Sequence, residues 1–328
     1  MKSSRKNNSG NGRLNPLEAE IAITALHATG DYLVLRRFDL ERDTRFTRKP
    51  AEGARIALCL DTETTGLSHT EDKIIELGII AFEYNPATAE IIKVTGRYAG
   101  FEDPGFPLSE EVQEITGITD EMVAGQLFAD DQVTTLAQQA TLVIAHNAAF
   151  DRPFVEARFP VYANLSWACS MTQINWQAER ITSRSLEYLL YKCGGWCINA
   201  HRAVSDAEGL LGLLLGQLPV SGTPIFSDLL ARTEKTTSRV YAVSAPFDKK
   251  DLLKQRGYRW NNGSKACKAW WRDVPLDAER AELDYLAEDI YPGGNTGAVE
   301  IGRIDALSRF SRREGQCAGP FRADRGKG

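Results

Sequence analysis

The chain has 328 residues, 43% of them apolar and 25% charged, with a formal net charge of −5. That length exceeds one typical domain, so one substantial core plus a smaller module is expected, and no apolar run is long enough to cross a bilayer. The polar start Met1-Lys2-Ser3-Ser4-Arg5-Lys6-Asn7-Asn8 has no signal-peptide core and the six scattered cysteines read as reduced thiols, so the reading is a cytoplasmic protein with no membrane attachment.

Residues 1–15, rich in Ser, Asn, Gly and basic side chains, are expected to be disordered. Residues 16–54 read as a helix-strand appendage: a helix from Pro16 to His27, a turn at Gly30-Asp31, and a strand over Tyr32 to Phe38, followed by arginines on a solvated face. The central domain is placed at residues 55–218. It opens near Arg55 with an apolar strand that delivers Asp61 and Glu63 to its end, then strands near 74–82 and 90–98 that make an antiparallel meander. Helical stretches near 108–115, 119–124 and 130–139 lead to a strand that ends at His146-Asn147. A helix from Ala149, a short strand at 167–170, a helix over 186–191 and a leucine-rich helix after His201 complete an α/β pattern.

Residues 219–237, with Pro219, Gly222, Pro224 and several Ser and Thr, look like a linker. Residues 238–292 read as a small α+β C-terminal module: a strand at Arg239–Val243, a short helix capped by Asp248 and ended by Gly257, a hairpin turning at Asn262-Gly263, and a helix from Leu276 to Ile290. Residues 293–328 contain a short helical stretch and a largely disordered basic tail. Cys193-Gly194-Gly195-Trp196-Cys197 has half of a zinc spacing, but no second pair accompanies it, so zinc is not expected.

Chemistry concentrates in the central domain. Strand side chains alternate, so Asp61 and Glu63, at the end of Leu58-Cys59-Leu60-Asp61-Thr62-Glu63-Thr64-Thr65-Gly66, project to one face. Asp151 falls on the first turn of the helix after His146-Asn147. His201 falls just before a helix that carries Asp206. Residues 55–235 hold 12 basic against 24 acidic side chains, an imbalance that bound divalent cations would offset, while the flanks carry a basic excess suited to a polyanion.

The ordered trio Asp61-Thr62-Glu63-Thr64-Thr65-Gly66, His146-Asn147-Ala148-Ala149-Phe150-Asp151 and His201-Arg202-Ala203-x-x-Asp206-Ala207 resembles the three motifs of the DEDDh 3′-5′ exonuclease family, DnaQ-like, which includes the proofreading subunit of bacterial DNA polymerase III. The resemblance covers roughly residues 55–218. It implies a ribonuclease H-like mixed sheet flanked by helices. It further implies two divalent ions, Mg²⁺ or Mn²⁺, held by Asp61, Glu63, Asp151 and Asp206, with His201 as general base. Hard cations prefer carboxylate oxygen, and an imidazole with an ordinary pKa of about 6.5 suits proton removal. The implied activity is release of nucleoside 5′-monophosphates from a free 3′ end, preferably of single-stranded DNA, in repair, proofreading or turnover, with a DNA polymerase or repair protein as a conceivable partner.

Thr62, Thr65 and Gly66 lie beside the acids, where backbone amides would meet the terminal nucleotide, although Thr64 and Thr65 equally suit a turn. His146 and Asn147 either contact substrate or cap the helix that follows. An RNA-trimming enzyme of the same fold, or a non-catalytic nucleic-acid-binding subunit, are the competing readings. The filled catalytic positions favour an enzyme, while the choice of sugar needs a contact to the 2′-OH that a sequence does not reveal. In the C-terminal module, Tyr258, Trp260, Trp270 and Trp271 alternate with Arg259, Lys265, Lys268 and Arg272. That mixture either grips a single strand by stacking or packs as the module's own core.

Overall fold

The computed structural model describes residues 14–199, 201–261, 268–291, 293 and 299–312. The first helix, α1 (Pro16–Thr29), starts at a capping box between Asn15 and Glu18 and stops at Gly30 in the left-handed region; none of its residues is buried. The strand expected over Tyr32–Phe38 is only β1 (Arg36–Arg37), which pairs in parallel with β7 (Trp196–Cys197). Phe38 and Leu40 then enter the main core. Phe38 seats against Gly212, where a Cβ would come within 2.6 Å of its ring.

The central sheet is built from β2 (Arg55–Thr64), β3 (Ile74–Tyr84), β4 (Ile91–Phe101), β5 (Ala140–Ala145) and β6 (Ser166–Cys169), in the order β4-β3-β2-β5-β6. β2, β3 and β4 form the expected antiparallel meander, while β5 and β6 run parallel to β2. The helices are α2 (Glu110–Thr116), α3 (Asp120–Val123), α4 (Asp130–Gln139), α5 (Ala148–Arg158), α6 (Leu186–Gly194) and α7 (Ala203–Leu214). This is the expected ribonuclease H-like α/β arrangement. Among the described residues, no helix is long and apolar enough to cross a membrane.

β2 is central and buries both faces, and its period of two assigns each side chain to a layer. Ala57 and Cys59 pack with α6 and α7 in one cluster, whereas Leu58 and Leu60 pack with α4 and α5 in another. Asp61 and Glu63 continue the first series, towards α7. Thr62 continues the second, towards α5.

Three further readings of the sequence need correction. The stretch read as a linker, 219–237, contains α8 (Ile225–Thr233), whose Ile225, Phe226 and Leu229 are buried in the main core, so the central unit does not stop at 218. Pro219, Gly222 and Pro224 lie just before this helix, and their turn chemistry masked its apolar face. The tail from 293 contains β11 (Val299–Ile304), which pairs antiparallel with β8 (Thr237–Val243). Finally, Asp248 caps nothing: it lies inside a 3-10 turn, Phe247–Lys249, and α9 (Lys250–Arg256) begins without a side-chain cap, though it ends at Gly257 as expected.

The C-terminal sheet runs β11-β8-β10-β9, with β9 (Arg259–Asn261) and β10 (Ala269–Pro275), and α10 (Glu279–Tyr285) continues as a π turn to Ile290. Only some of its aromatic residues pack in the module's core. Tyr258 is buried in the module core and Trp270 packs against it, while Arg272 pairs with Glu282 on α10. Trp271 lies on the opposite sheet face, with the Arg239 guanidinium 4.1 Å from its ring centre, and Trp260 is half-exposed. The expected Asn262-Gly263 turn and Lys265, like residues 1–13 and 313–328 of the expected tails, lie outside the described residues.

Candidate active site

Strand β2 delivers Asp61 and Glu63 to the end of the sheet, and α7 brings Asp206 to them: one carboxylate oxygen from each lies within 4.8 Å of the others. Asp151, on the first turn of α5, approaches from the other layer and is only 2% exposed. Its Oδ1 accepts a hydrogen bond from the Thr62 hydroxyl at 2.9 Å. Thr62, expected beside the acids for substrate contact, is therefore the residue that orients Asp151. The alternation of β2 explains both halves: odd residues meet α7, and Thr62 between them meets α5.

Packing acids together out of water disfavours their charged forms. Burial pushes Glu63 up to about 8, with Asp206 and Glu76 adding repulsion. Burial likewise raises Asp151 to about 7, against the hydrogen bonds from Thr62, and Asp206 to about 6. Asp61 is raised by burial and then by Asp151, Asp206 and Glu63. A set of hard oxygen donors that holds protons because burial and mutual repulsion disfavour its charges fits a divalent cation such as Mg²⁺ or Mn²⁺.

His201 is exposed, with left-handed backbone (φ 61°), and its backbone N–H donates to Asp206 Oδ2 at 3.0 Å. The turn before α7 is thus folded onto the acid it precedes. Its next residue, Arg202, pairs with Glu76 at 3.0 Å, and Glu76 also accepts from the Ala203 N–H at 3.2 Å. Arg202, at the N-cap, gives no side-chain cap, so a carboxylate from β3 takes the orphan donor and complements the positive end of the helix dipole. Gly78, two residues along β3, makes room for this turn: a Cβ there would lie 2.3 Å from Ala203 C and Val204 N.

Glu76 and Gly78 were not singled out from the sequence. Glu76 did leave a signal, since an acid inside the apolar run Ile74–Tyr84 requires a buried partner. It is 2% exposed.

Other expected contacts are drawn inward. His146 has both ring nitrogens engaged, Nδ1 with the Ser170 hydroxyl and Nε2 with the Arg184 carbonyl, each at 2.7 Å. A carbonyl only accepts, so Nε2 carries the proton; burial lowers the ring's pKa to about 4. Asn147 occupies the N-cap position of α5 with φ 91°, and its side chain makes no cap bond. The Thr65 hydroxyl donates to Asp72 at 3.0 Å and accepts from the Lys73 N–H. Gly66 lies against the same carboxylate, where a Cβ would come within 2.5 Å of Asp72 Oδ2. Asp72, also overlooked, therefore organises the loop that follows the first two acids.

Residues 58–214 match the model of the exonuclease family, in agreement with the DnaQ-like resemblance of their motifs. The chain is similar to the PolC-type DNA polymerase III of Pediococcus pentosaceus, 30% identical over 171 residues that cover 48% of this chain and 11% of that protein. The PolC-type DNA polymerase III of Halalkalibacterium halodurans is 34% identical over 167 residues, covering 47% and 11%. The chain thus spans about a tenth of the length of the curated relatives it matches. The solved structure of exonuclease X in complex with 5′ overhanging duplex DNA aligns with 48% of this chain and 89% of its own, at 25% identity and a TM-score of 0.36.

Proposed function

We propose that the central domain is a divalent-metal-dependent 3′-5′ exonuclease that releases nucleoside 5′-monophosphates from DNA, preferably single-stranded. The observation that carries this reading is the convergence of Asp61, Glu63 and Asp206 from a strand and a helix, with Asp151 held beside them by Thr62. These four carboxylates would hold two Mg²⁺ or Mn²⁺ ions, which when bound supply positive charge for the phosphodiester and lower the pKa of water.

The protein's own share is positioning and proton transfer. His201, outside the carboxylate cluster and exposed, takes the proton of the attacking water on an imidazole nitrogen. Glu76 and Arg202 fix the turn that carries it. Similarity to enzymes named DNA polymerase III favours DNA over RNA as the substrate and work beside a polymerase or a repair protein. The test is degradation of end-labelled single- and double-stranded DNA and RNA, with and without Mg²⁺ or Mn²⁺, with the released product identified. Label lost first from the 5′ end, or release of nucleoside 3′-monophosphates, would reject the proposal.

A further inference from the structure

Beyond β11 the chain does not trail away. Residues 305–312 cross back from the C-terminal sheet to the central domain and bind to the outer side of α5. The contact is made by Arg152, the neighbour of Asp151, which is 0% exposed. Its Nη1 donates to the Arg309 carbonyl and its Nη2 to the Leu307 carbonyl, both at 2.6 Å, with a longer bond of 3.4 Å to the Ala306 carbonyl. Its Nε donates to Glu156 at 2.6 Å, and Glu156 accepts from the Ser311 hydroxyl at 2.6 Å. The guanidinium also lies 5.4 Å from the ring centre of Trp167, whose backbone N–H donates to the Ala306 carbonyl at 2.8 Å on the outer edge of β6.

A second arginine holds the segment from the other side. Arg309, 5% exposed, donates to the Thr233 carbonyl at 3.2 Å and the Lys235 carbonyl at 2.7 Å, at the end of α8. Phe310, in left-handed backbone (φ 71°), packs against the cluster that includes Phe154 and Val155 of α5. A buried guanidinium is tolerated only where acceptors surround it, and this segment supplies Arg152 with the carbonyls of Ala306, Leu307 and Arg309.

Resting on the exonuclease reading, we infer that residues 305–312 are a brace for α5, and that Arg152 is a positioning residue through which the C-terminal part of the chain fixes Asp151 in the metal site. A helix end that supplies one acid to a shared ion must be placed within a fraction of an ångström, and partners behind the ligands of metal sites typically perform that task. The exonuclease region and the C-terminal sheet then form one catalytic unit.

The test uses the full chain with Arg309→Ala, which loosens the segment without touching α5, and with Arg152→Lys, which keeps the charge but loses the fork. Two readouts are taken: amide hydrogen exchange of residues 148–158 in metal-free buffer, and Mn²⁺ affinity by calorimetric titration. Both variants should accelerate exchange in α5 while leaving β2 and β3 protected, and should weaken Mn²⁺ binding about 10- to 100-fold, the usual scale for partners behind metal ligands. Arg309→Lys, which retains a donor for one carbonyl, should recover part of both effects. Lowered melting temperature with unchanged α5 exchange, or with unchanged Mn²⁺ affinity, would reduce the segment to ordinary packing and overturn the inference. Because exchange is measured without metal or substrate, it tests the brace whether or not the chain hydrolyses DNA.

Discussion

Replacing Gly78 by alanine tests whether the turn before α7 sets the geometry of the site. The added methyl would lie 2.3 Å from Ala203 C and Val204 N, whereas ordinary contact begins near 3.4 Å, so the two backbones must separate by about 1 Å. Neither side yields easily. β3 is hydrogen-bonded on both edges, and the turn is tied to β3 through Glu76. Overpacking of this kind costs about 1–3 kcal/mol, which a folded domain survives. The larger effect is catalytic, because a displacement of about 1 Å at a reacting group can cost about 10²-fold in rate. Gly78→Ala should therefore remain folded by circular dichroism, melt somewhat lower, and lose about two orders of magnitude in single-turnover hydrolysis with Mg²⁺. Gly96→Ala is the control, since its methyl would meet the movable end of Leu136 at 3.1 Å and the Ala81 Cβ at an ordinary 3.5 Å. A Gly78→Ala chain that hydrolyses at the rate of the control would show that the turn does not hold Asp206 and His201 in register.

Three further outcomes are expected. Asp151→Asn keeps an acceptor for the Thr62 hydroxyl while deleting a charge, so it should abolish hydrolysis, leave the fold intact and raise stability in metal-free buffer; near wild-type degradation with Mg²⁺ would refute the ligand assignment. His201→Ala should lower turnover by about 10²- to 10⁴-fold with little change in Mn²⁺ or DNA affinity, as measured by single-turnover kinetics and anisotropy; a loss confined to affinity would make His201 a binding residue. In metal-free buffer, Glu63 (about 8), Asp151 (about 7) and Asp206 (about 6) keep protons that the unfolded chain releases near pH 4, so their contribution to stability falls as pH rises through that window. Denaturant titrations should show this decline from pH 5 to 8 and its reversal by Mg²⁺, the ion having most effect at the alkaline end. A metal effect equal at pH 5 and pH 8 would contradict the assigned shifts.

What the sequence determined by itself was local. A period of two places Asp61 and Glu63 on one side of a strand, and the ends of apolar runs mark where Asp151 and Asp206 begin their helices. The order of the three motifs adds the fold and the type of reaction through resemblance. What only the tertiary structure decided are the supports, because each joins residues far apart in the chain. Thr62 meets Asp151 across 89 positions, Glu76 meets Arg202 across 126, and Arg152 meets the Arg309 carbonyl across 157. The same distance hid α8 and β11, whose short apolar patterns sit among Pro, Gly and Ser and gain meaning only from the surfaces that cover them. A propensity or a period is written in neighbouring residues. A buried charge finds its acceptors, and a glycine its reason, only after the layers have closed.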